Sequence, residues 1–198
     1  MQLYFSASLE LKIDMADGKI KISQLFDDFA EDLLAERSAR PLIIIGAAKI
    51  EQLLFEMLNT FLLPKRIRGK EQDELLIGDT PLATFSARIK ICHRLGLIDE
   101  KLCGTLELLR KIRNQCAHSV SFDHAKSPVR EHLAQFKRHV DGRGSYQLTK
   151  QRYFDNADLQ GIEELQCLLL TICVLLEAIQ QNMKRTSGHK RALGVSAR

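Results

Sequence analysis

The sequence contains no run of about 18 uncharged apolar residues, the length a helix needs to cross a bilayer. The apolar stretch Leu42 to Ile50 is interrupted at Lys49 and followed by Glu51, so no membrane segment is expected. The opening residues, Met1-Gln2-Leu3-Tyr4-Phe5, lack a basic region leading into an apolar core and a small-residue cleavage site, which predicts a cytoplasmic protein. Close C-x-x-C pairs are also missing. The five cysteines, Cys92, Cys103, Cys116, Cys167 and Cys173, are odd in number and lie in segments that read as helix. They are expected to be reduced packing residues rather than zinc ligands or a disulfide framework. Acids, histidines and cysteines nowhere cluster at ligand spacing, so neither a metal nor a cofactor is predicted.

Acidic residues are missing from the C-terminal stretch as well. Lys184, Arg185, Lys190, Arg191 and Arg198 supply +5 of a total net charge of +4, which leaves the rest of the chain at −1. The body is therefore near neutral and the basic character belongs to a tail. Residues 186–198 have no apolar periodicity, and disorder is expected there.

What is present is helical periodicity. With 198 residues and 45% hydrophobic content, the chain can bury one sizeable core, and a single domain over residues 23–185 is predicted. Residues 1–22 alternate loosely around Asp17-Gly18 and read as a short hairpin or an ordered arm. Helices follow from Ser23 to Arg40, and from Pro41 to about Leu63, where the first half is apolar on nearly every side. The loop 64–79 carries Lys65, Arg66 and Arg68, read either as a solvated loop or as one that contacts phosphate. Thr80-Pro81 has the chemistry to start a third helix that stops at Gly96. Asp99 caps a fourth helix through about His118, a weaker fifth covers Ser127 to Arg138, and Asp158 caps a last helix to about Lys184. Residues 147–156 read as irregular or briefly extended. The expectation is an all-α bundle of about five to six helices, with the second and fourth at its centre.

The chemistry concentrates at the end of the fourth helix, in Arg113-Asn114-Gln115-Cys116-Ala117-His118. On a wheel of 100° per residue, Arg113 falls inside the apolar stripe of Leu102, Leu106, Leu109, Ile112 and Cys116. A guanidinium there needs a partner: a core carboxylate such as Glu51 or Glu56, a second subunit, or a phosphate. Asn114 and His118 share a face, whereas Arg113 and His118 diverge by about 140°. As residue types, arginine, amide and histidine suit RNA cleavage, with histidine moving the proton of a ribose 2′-hydroxyl and arginine stabilising the phosphorane. Arg88, Lys90, His93 and Arg94 make the third helix partly basic, either as solvated charge or as RNA contacts.

Several segments in fixed order add to this reading: Ile45-Gly46-Ala47-Ala48, Gly78-Asp79-Thr80-Pro81-Leu82, Phe85-Ser86-Ala87-Arg88-Ile89-Lys90, Leu95-Gly96-Leu97-Ile98, and Leu109-Arg110-Lys111-Ile112-Arg113-Asn114 leading into Ala117-His118-Ser119. Together they resemble the mannitol operon repressor (MtlR) family over roughly residues 23 to 125, and the ending also resembles the wider HEPN superfamily of helical domains. The resemblance implies an all-helical homodimer. For HEPN proteins with an intact motif it implies a metal-independent endoribonuclease, in toxin-antitoxin or defence roles, with Arg113, Asn114 and His118 as the catalytic set. From their charge, Lys65, Arg66, Arg68 and Arg88 are expected as RNA contacts on the rim of that site. The repressor-named members imply a non-catalytic regulator that acts through contacts with a protein partner. A two-fold axis would bring Arg113 and His118 of facing copies to one cleft.

Overall fold

The computed structural model describes residues 24–62, 75–120, 122–123 and 126–192. Among these, every regular element is a helix: α1 (Gln24–Ala35), α2 (Ala39–Phe61), α3 (Phe85–Arg94), α4 (Glu100–His118), α5 (Val129–Val140), α6 (Gly144–Phe154) and α7 (Gly161–Ala192). The all-α expectation holds, with seven helices in place of five to six. No helix is long and apolar enough, among the described residues, to cross a membrane. The arm over residues 1–22 and the loop cations Lys65, Arg66 and Arg68 lie outside the described residues.

Helix ends follow local chemistry where it is strong. Asp99 accepts the Leu102 N–H at 2.5 Å and caps α4. Its carboxyl is raised by partial burial, but this is outweighed by the Leu102 hydrogen bond and the Arg143 guanidinium, so it sits below its ordinary value. Helix α3 closes in a Schellman motif: Gly96, with φ of 70°, donates to His93 O and Leu97 donates to Cys92 O, both at 2.9 Å. Its start differs from expectation. The cap is Thr84, which accepts from Ala87 N, while Thr80 donates its hydroxyl to Leu75 O at 2.8 Å and organises the preceding turn. Pro41 sits inside the first turn of α2 rather than opening it, a position whose N–H has no helical partner in any case.

The centre of the bundle is α2 against α7, not α2 against α4. Residues 165–177 of α7 are buried on every side, and α2 packs more extensively on α7 than on any other helix. Leu165-Gln166-Cys167-Leu168-Leu169-Leu170-Thr171-Ile172-Cys173-Val174-Leu175-Leu176 is apolar around the whole helix, as a central helix must be. Helix α4 packs instead between α2, α3 and α5. Leu53, Leu54, Leu106 and Leu109 are buried as expected, and Ile44 is half-buried. Helix α6 occupies the region expected to be irregular. Its composition, GSYQLTKQRYF, is almost without amphipathic bias, and it is held by tertiary contact: Tyr146 and Thr149 are buried, and the element packs along α7. The backbone of α7 extends through Ala192, past the expected end near Lys184.

Two contacts fix this arrangement. Gly46 lies where a Cβ would come within 2.8 Å of Leu169 Cδ1 and 3.0 Å of Cδ2, so a side chain there would have to displace Leu169 at the α2–α7 crossing. Gln166, buried in α7, donates through Nε2 to Leu33 O, Leu34 O and Glu36 O at 3.2, 3.0 and 2.9 Å. These are carbonyls that the end of α1 leaves unpaired. Because Leu169 is fully buried, moving it means repacking the core around it. Replacing Gly46 with valine is therefore expected to destabilise the fold by about 1–3 kcal/mol despite relieving the entropy of glycine, measured as a lowered urea midpoint. An unchanged or raised midpoint would show that the crossing tolerates a side chain.

Candidate functional site at the end of helix α4

Helix α4 carries its charged motif on the last two turns, and an arginine from α2 holds the place where it stops. Arg40 donates through Nε to Cys116 O at 3.1 Å and through Nη2 to Ser119 O. The last carbonyls of a helix carry partial negative charge and lack helical partners, so a guanidinium there satisfies two acceptors and the dipole together. Sequence reasoning missed Arg40. It lies 76 residues before Cys116, and next to Pro41 it reads only as the end of the preceding helix. No local pattern reports such a contact.

The motif residues are placed as follows. Arg113 is half-buried and its Nη1 donates to Asn114 Oδ1 at 3.2 Å. Asn114 is half-buried, and His118, the last residue of α4, is exposed. The chain remains helical through His118, so Arg113 and His118 keep the divergence of about 140° expected on an ideal helix, with Asn114 between them and about 40° from His118. One copy thus groups Asn114 with His118 on one face and links Asn114 to Arg113 by a hydrogen bond.

The core ion pair considered for Arg113 does not form. Glu51 lies 3.5 Å from Arg88 Nη1, and Glu56 accepts from Gln52 at 3.0 Å and from Gln180 at 3.3 Å. Among the described residues Arg113 has no carboxylate partner. Arg88 has the opposite character. It donates through Nε to Leu82 O at 3.1 Å and through Nη2 to Leu76 O at 2.9 Å, and its guanidinium carbon lies 5.2 Å from the centre of the Phe55 ring. With a side chain only 12% exposed, it ties the turn before α3 to α2 rather than presenting charge to a ligand.

Other titratable groups are structural. Burial pushes the Cys92 thiol up to about 12, and those of Cys116 and Cys167 up to about 11, so none supplies a thiolate at neutral pH. All five cysteines are free. His139 is half-buried and its Nδ1 lies 3.3 Å from Thr105 Oγ1 at the α4–α5 contact. Among the described residues no three His, Cys, Asp or Glu side chains are grouped to hold a metal ion.

This geometry can be set beside known proteins. No protein-family model and no curated protein sequence matches the chain. Solved structures that share its fold include these two. One is MtlR of Escherichia coli, determined in a complex with HPr, at 20% identity and a TM-score of 0.53, covering 78% of this chain and 99% of that one. The other is YggD of Shigella flexneri 2a, described as a possible transcriptional regulator, at 15% identity and a TM-score of 0.51, covering 81% and 97%. The chain therefore has an MtlR-like helical fold.

If Arg40 fixes the end of α4, Arg40→Ala leaves two carbonyls without their charged donor and should lower stability by about 1.5–3 kcal/mol. Amide exchange in residues 116–119 should accelerate more than exchange at the α2–α7 crossing. Arg40→Lys, which retains a cation but not the two-pronged geometry, should recover part of the loss. Uniform acceleration across all helices would contradict a local role.

Proposed function

We propose that this chain is a non-catalytic regulator that acts by binding another protein, and that the partner docks on the end of α4 through Arg113, Asn114 and His118. The observation that carries the reading is Arg113 itself. Its guanidinium is half-buried on a helix and, among the described residues, is bonded only to a neutral amide, with Glu51 and Glu56 of α2 committed elsewhere. A partly desolvated cation in that state gains from an acidic group brought by a partner. Its tether to Asn114 and the Arg40 clamp on the helix end reduce the ordering that binding would cost. The likeness to MtlR supports the same reading, because that protein was solved in a complex with HPr. The first partner to test is therefore the HPr protein of the organism that encodes this chain.

A second reading is favoured by the same residues. Arg113, Asn114 and an exposed His118 follow an R-N-x3-H pattern, and the HEPN resemblance of that pattern supports a metal-independent endoribonuclease. His118 would move the 2′-hydroxyl proton, Arg113 would bind the scissile phosphate and Asn114 would orient either group. Because Arg113 and His118 diverge on one helix, that chemistry requires a homodimer in which facing copies of α4 complete the cleft.

The two readings separate in one pair of measurements. Titration calorimetry with HPr should give saturable binding that Arg113→Ala weakens by about tenfold or more, roughly 1.4 kcal/mol. The same preparation, incubated with a mixed RNA pool and chelator, should leave the RNA intact. Cleavage with chelator present that is lost in His118→Ala, together with no HPr binding, would replace the regulator by the nuclease.

A further inference from the structure

Away from the end of α4, the outer side of the bundle has a groove of about 300 Å³ between α5 and the first turns of α7. Its floor is apolar: Leu133 and Ala134 from α5 meet Leu165 and Leu168 from α7. Its rim is charged. Lys137 of α5 donates to Glu164 of α7 across the groove, and Arg130 stands one helical turn before Ala134 on the same side. Arg130 is exposed and, among the described residues, forms no ion pair.

We infer that this groove is a binding site for a small amphipathic anion, a molecule with a compact aromatic or branched apolar body and one carboxylate or sulfonate. The volume lies at the lower end of the range for small-molecule sites and is too small for a folded partner element. The apolar floor favours a hydrocarbon body, which would cover the half-buried Leu133 and the exposed Ala134 against the buried Leu165 and Leu168. The rim decides the sign of charge. Two cations face one carboxylate, and that carboxylate is already engaged by Lys137, whose ammonium is held protonated by the Glu164 hydrogen bond. The uncompensated charge is Arg130, whose planar guanidinium matches a carboxylate or sulfonate with two parallel hydrogen bonds. Gly161, without a side chain and with nothing within 4 Å of where one would begin, leaves the mouth open at the α7 end. Because the Lys137–Glu164 bridge joins α5 to α7, an anion lodged beside it bears on the contact between those two helices. This site is independent of the partner surface on α4, and neither requires the other.

The test uses the full chain and 8-anilinonaphthalene-1-sulfonate, an apolar aromatic body carrying one sulfonate. Fluorescence titration should show saturable one-to-one binding, and methyl shifts in NMR spectra should be confined to Leu133, Leu165 and Leu168. Ala134 is exposed, so Ala134→Phe should fold normally by circular dichroism while filling the groove, and affinity should fall by about tenfold or more. Arg130→Gln should weaken binding by roughly three- to tenfold and remove most of its salt dependence. The uncharged analogue N-phenyl-1-naphthylamine should bind about tenfold less tightly than the sulfonate. Non-saturable fluorescence, affinity unchanged by Ala134→Phe, or equal affinity for the uncharged analogue would each overturn the assignment.

Discussion

The close approach of α2 and α7 at Gly46 and Leu169 is the constraint on which the remainder of the molecule depends. Without a Cβ at position 46, α2 settles against a helix that is itself buried all round from residue 165 to 177. Helix α2 then serves as a mast from which side chains reach its neighbours. Arg40 at its start holds the end of α4, Glu51 at its middle pairs with Arg88 of α3, and Glu56 one turn later accepts from Gln180 of α7. A displacement of α2 would propagate to all three at once. Interiors packed to crystalline density pass on such shifts rather than absorb them.

A second theme is the treatment of helix ends. Where local sequence offers a cap, as at Asp99 for α4 or Gly96 after α3, the chain uses it. Where it does not, a side chain from another helix takes over. Gln166 of α7 serves the carbonyls of α1, and Arg40 of α2 serves those of α4. These long-range caps explain how helices with modest intrinsic stability stay fixed in place, since burying a helix end without partners for its carbonyls would cost about 1–3 kcal/mol per group. At α4 the same guanidinium that satisfies the helix end holds the turn that carries the half-buried Asn114 and the exposed His118.

This division also marks how much could be read from the chain alone. Strong local signals, such as the Asp99 cap, the Gly96 stop and the leucine stripe of α4, led to the right elements. Signals that depend on partners distant in sequence did not. Helix α6 escaped because its residues show no amphipathic period and are stabilised by packing on α7. The start of α3 was displaced from Thr84 to Thr80 because both threonines have capping chemistry, and only the turn made by Leu75 O tells them apart. The clarity of its stripe places α4 beside α2 at the centre when the sequence is read alone, although a clear stripe marks a helix with a wet side. At the candidate site, Arg113 was visible as a cation on an apolar face, and its need for an anion was legible from chemistry alone. What lay beyond the sequence was that Arg88 and Glu51 would satisfy each other, that Glu56 would turn to glutamines, and that Arg113 would be left with Asn114.

Under the proposed function, the surface around Arg113 is where another protein is recognised. The most direct measurement is site-specific photo-cross-linking in the native cell, with a photoreactive residue in place of the exposed Ala117, one position before His118. The account predicts a discrete adduct with HPr, resistant to ribonuclease and strongly reduced when Arg113→Ala is introduced into the same chain. Adducts that carry RNA and persist in His118→Ala, with no HPr adduct, would contradict it and place a nucleic acid on this surface.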